Sequence, residues 1–106
     1  MNPLFAAARA LEKHGWVNEA AGSPEHGMCL LGALGWVTGC PLGVEIQGAP
    51  PPQRDLFWQA MDLLHDVVEE LFGCNQVAWV NDNLVADQDQ AVAILEKAGA
   101  RLEEAA

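Results

Sequence analysis

The chain has 106 residues, the size of one ordinary domain, so a single core and a single folding unit over residues 1–106 are expected. Fifteen Asp and Glu against five Lys and Arg leave a formal charge of −10, which repels nucleic-acid phosphates and anionic lipid and disfavours direct binding to either. Hydrophobic residues make up 51% of the sequence in short clusters broken by Gly, Pro and acids; the longest apolar runs, around residues 28–37 and 77–80, are too short for the roughly 20 residues that cross a bilayer.

Met1-Asn2-Pro3-Leu4-Phe5 has neither the basic stretch nor the continuous apolar segment of a secretory signal, so a cytoplasmic location is expected. Cys29, Cys40 and Cys74 are odd in number and widely spaced, which fits reduced thiols better than a disulfide framework.

In chain order, Asn2 reads as an N-cap and Pro3 as the first helical position. Leu4, Phe5, Ala8 and Leu11 then repeat at helical spacing until Gly15, predicting a helix over 3–14. Trp16 follows that Gly where an apolar residue often folds back onto the last turn, and residues 18–27 read as loop. Residues 29–37 are apolar on every side, the pattern of a buried central helix with a buried strand as the competing reading. Gly32 and Gly35 within it suggest close approach of another backbone. Residues 39–53, with Pro50-Pro51-Pro52, read as a Pro/Gly-rich ordered loop or stiff extended connector, a candidate for a mobile or partner-facing element. Leu56, Phe57, Met61, Leu64, Val67, Val68, Leu71 and Phe72 trace one face of a long helix ending at Gly73, and Asp62, Asp66, Glu69 and Glu70 fill the remainder. The β-branched and aromatic content of residues 77–80 suggests a short strand or a buried turn. Asp87 with Gln90 resembles a capping box opening a last helix, whose apolar face is Ala91, Leu95, Ala98 and Leu102. The expected fold is mainly α, a bundle of about four helices with one short strand or hairpin at most.

Chemistry has few places to sit. His26-Gly27-Met28-Cys29 puts a thiol at a helix N-terminus near an imidazole, the environment of a nucleophile, so Cys29 and His26 are the catalytic candidates; the plainer reading is a small buried core residue. Zinc has chemically acceptable ligands in His26, Cys29, Cys40 and Cys74, but only His26 and Cys29 are close in sequence, and no metal is expected. Asn81-Asp82-Asn83 with Asp87-Gln88-Asp89 lacks the Gly and terminal Glu of a calcium loop. No Gly-rich phosphate cradle is present, and no cofactor is expected. Trp16, Trp36, Trp58 and Trp79 are read as core side chains, with a stacking pocket as the alternative. The stripe Asp62, Asp66, Glu69 and Glu70 is either a solvated face or a mimic of DNA phosphates aimed at a basic partner.

His14-Gly15-Trp16 closing the first helix, Cys29-Leu30-Leu31-Gly32-Ala33-Leu34, Trp79-Val80-Asn81-Asp82 and the terminal Val92-Ala93-Ile94-Leu95-Glu96-Lys97-Ala98 together resemble a family of small uncharacterised proteins of actinobacteria and bacteriophages. The resemblance spans most of the chain outside the Pro-rich loop. It implies that His14, Trp16, Cys29, Gly32, Asn81 and Asp82 form one spatial set, and it favours a phage accessory protein acting on a host partner; it carries no activity. The resulting expectation is a non-enzymatic binding or regulatory protein that engages a protein partner through the acidic helix and the Pro-rich loop, with Trp16, Trp79, Asn81 and Asp82 as further binding candidates. Homodimerisation through the long helix is a companion expectation. The alternatives are a small-molecule-sequestering domain with a Trp-lined pocket and a cysteine-dependent hydrolase.

Overall fold

Asn2 and Pro3 start the first helix as a matched pair in the computed structural model, which describes residues 2–18, 22–23, 25–40 and 51–105. The Asn2 Oδ1 accepts from the backbone N–H of Leu4 (3.0 Å) and Phe5 (3.3 Å), while Pro3 occupies a position that has no helical acceptor to lose. Helix α1 runs Pro3–His14 and buries Leu4, Ala7, Ala8 and Leu11. A hairpin of two-residue strands follows, β1 (Gly22–Ser23) antiparallel to β2 (Gly27–Met28), which apart from Met28 falls in the stretch 18–27 expected as loop. Gly27 is needed there: its φ is +94°, and a Cβ would stand 2.9 Å from the Val17 Cγ1 and 3.2 Å from the Gly15 carbonyl oxygen.

Helix α2 is Leu30–Thr38, so residues 29–37 are not a strand, and Cys29 caps the helix instead of opening it. Its end is a Schellman turn. Gly39 takes the left-handed conformation (φ +74°), the Cys40 N–H donates to the Gly35 carbonyl at 2.9 Å, and the Gly39 N–H donates to that of Trp36 at 3.4 Å. Helix α3, Pro51–Phe72, starts earlier than the spacing of apolar residues predicts, because prolines in a first turn have no intrahelical N–H to forfeit. The expected loop 39–53 is therefore shortened from its C-terminal side, and residues 41–50 lie outside the described residues.

Residues 77–80, expected as strand or turn, belong to helix α4, Val77–Asn83. The reason is tertiary: Val77, Val80 and Asn81, at i, i+3 and i+4, all turn into the core, and that burial overrides β-propensity. Helix α5, Gln88–Ala105, opens with a variant of the anticipated capping box: the Gln90 N–H donates to the Asp87 Oδ1 (2.9 Å), while the Gln90 Oε1 accepts from the N–H of Ala86 (2.6 Å), one residue before the cap. The described residues thus form five helices, not about four, and one hairpin.

One hydrophobic cluster draws on all five helices, with α1 packed chiefly on α5 and α2, and α3 on α5. Phe57, Leu4, Leu11, Leu30, Leu34, Leu64, Ile94 and Leu95 are among its largest fully enclosed side chains. Leu71, expected on the apolar face of α3, is exposed. The α1–α5 crossing is close because Gly99 meets the Phe5 ring: a Cβ there would be 2.5 Å from the Phe5 Cδ1. Asn2 reinforces it, its Nδ2 donating to the Gly99 carbonyl (2.8 Å) and the Glu103 Oε1 (3.1 Å). No helix of the described residues is long and apolar enough to cross a membrane.

Candidate functional site

Two groups of residues named from the sequence are organised by this fold: a buried polar knot around Asn81 and the acidic outer face of α3. The knot comes first because it holds the elements in register. Asn81 is fully buried on α4, and a buried amide is tolerable only when its donors and acceptors are satisfied. Its Oδ1 accepts from the Trp16 Nε1–H at 2.8 Å and the Leu30 N–H at 3.1 Å; its Nδ2 donates to the Val17 carbonyl at 3.2 Å and the Asp82 Oδ1 at 3.1 Å. Two acceptor and two donor positions are the whole capacity of an asparagine side chain, so Asn81 is saturated. The Leu30 N–H is one of the orphan donors at the start of α2, which makes Asn81 a cap supplied from another helix.

Cys29 shares this corner. Its Sγ accepts from the Gly32 N–H at 3.3 Å, the usual work of a Ser or Asp at an N-cap. Burial pushes the Cys29 thiol up from its ordinary pKa and the Asp82 charge adds to this, against the lowering effect of the backbone N–H groups. A thiol held protonated is a poor nucleophile, and the helix N-terminus that suggests reactivity in the sequence is outweighed by desolvation. Cys29 is thus the small buried residue of the plainer reading, with its thiol shifted upward. His26 is exposed in the turn between β1 and β2.

Of the set implied by the family resemblance, Trp16, Cys29, Gly32, Asn81 and Asp82 are brought together. The imidazole of His14, in the last turn of α1, has no hydrogen-bond partner among the described residues. Gln88 was not foreseen: its Oε1 accepts from the Trp16 backbone N–H at 3.0 Å, tying the start of α5 to the exit of α1. Nothing near Gln88 in the sequence signals this, since its partner is 72 residues away.

The tryptophans overturn the core reading. Trp36, Trp58 and Trp79 are 55%, 50% and 49% exposed, and only Trp16 packs against the core. Trp79 shares the outer face of α4 with Asp82 and Asn83, all exposed. Trp58 stands on α3 with its ring edge-on to the buried Phe57 (centroids 5.2 Å apart, planes at 80°), so an exposed indole is held by an anchored one-sided contact.

Asp62, Asp66, Glu69 and Glu70 are all exposed, and they part company in their contacts. Glu70 lies between Lys97 (3.2 Å) and Arg101 of α5, which hold its carboxyl below the usual range by hydrogen bonding and charge. Arg9 is likewise engaged by Glu12 and Glu96. Asp62, Asp66 and Glu69 have no ion-pair partner among the described residues, and neither has Asp55, which continues the same helical face through Trp58 and Gln59. No group of three or more His, Cys, Asp or Glu among the described residues is placed to hold a metal ion.

A helical domain pinned by a saturated asparagine, with an acidic helix row that has no ion-pair partner among the described residues, is the class that fold and site define. By sequence the chain belongs to a family of unknown function, DUF6197, whose model matches residues 2–101. No curated protein and no solved structure matches.

Proposed function

We propose that this chain is a non-enzymatic binding domain that engages a basic protein surface through the outer face of α3. The observation that carries the reading is the acidic row Asp55, Asp62, Asp66 and Glu69, which has no ion-pair partner among the described residues, with the half-exposed Trp58 set among it. Carboxylates without internal partners cost no ion pair on docking and steer a positively charged partner toward the face. Trp58, already braced on Phe57, is a rigid aromatic anchor of the kind that dominates interface energies, and its ring face accepts an Arg or Lys by cation–π contact. Three of the five basic side chains, Arg9, Lys97 and Arg101, are taken up by Glu12, Glu96 and Glu70, so they do not neutralise this row. Homodimerisation by facing two α3 helices would set the acidic rows against each other, which favours a basic partner over a second copy.

The test is affinity capture from a bacterial lysate with the native chain and with the double variant Asp62→Asn, Asp66→Asn. The expected result is a basic protein retained by the native chain, released by moderate salt and lost from the variant. The same proteins captured at equal yield by both chains would contradict the reading.

A further inference from the structure

We draw no further inference here: the strongest candidate, the outer face of α4 where exposed Trp79 stands beside Asp82 and Asn83, carries nothing because nothing in the structure shows what covers it.

Discussion

At Asn81 a single side chain satisfies groups from the exit of α1, the start of α2 and its own helix, so removing it strands several at once. Asn81→Ala leaves the Leu30 N–H buried without an acceptor and the Trp16 indole without its partner, and is expected to cost about 2–3 kcal/mol. Denaturant unfolding followed by tryptophan emission measures this, and a loss under about 0.5 kcal/mol would remove Asn81 from its structural role. Cys29 makes a second residue-level prediction. Its folded pKa is raised above the ordinary thiol value of 9.0, so its contribution to stability is complete below that unfolded value and is lost as pH rises through the higher folded one. Cys29→Ser keeps a capping acceptor and removes the titration, so native stability is expected to fall more steeply than that of the variant as pH rises above the ordinary thiol pKa. Parallel stability profiles would show that burial of the thiol is not coupled to its ionisation. The pairing of Asn81 with Trp16 was legible only as two motifs of one family; a contact between residues 65 apart has no local trace, and an Asn-Asp pair reads equally well as a turn.

Among the elements, α1 and α5 were the most legible, because Asn2-Pro3 and Asp87-x-x-Gln90 are start signals whose mechanism is local hydrogen bonding. α4 was not, since the β-branched and aromatic residues Val77, Trp79 and Val80 say nothing about which neighbours will bury Val77 and Val80. The apolar segment 29–37 likewise conceals which side faces out, so Trp36, on the exposed side of α2, reads as core in the sequence. The crossing of α1 and α5 is the element-level feature that carries a test. Gly99→Ala forces the new methyl against the Phe5 ring, so the helices must separate or the ring must turn, at an expected cost of about 1–3 kcal/mol. Phe5→Leu combined with Gly99→Ala relieves the contact, and part of the loss is expected to return. Thermal or denaturant unfolding of the two single variants and the double variant gives the coupling; strict additivity would mean that the two residues do not meet.

For the whole molecule, the distribution of charge matters more than its sum. The −10 balance was readable at once, whereas the division of α3 into Glu70, engaged by Lys97 and Arg101, and a row without counter-charge depends on how α5 lies against it. Asp62 and Asp66 are one helical turn apart and repel, so Asp62→Asn with Asp66→Asn is expected to leave stability unchanged or raise it by a few tenths of a kcal/mol, roughly the size of a like-charge i,i+4 pair. Binding is expected to move the other way. The most direct measurement is a titration of the captured partner with the native and doubly substituted chains at low and at physiological ionic strength. The proposed role predicts that the native complex weakens as salt rises, and that the variant, equally stable, binds at least about tenfold more weakly with a smaller salt dependence. Equal affinities with the same salt dependence for both chains would contradict it.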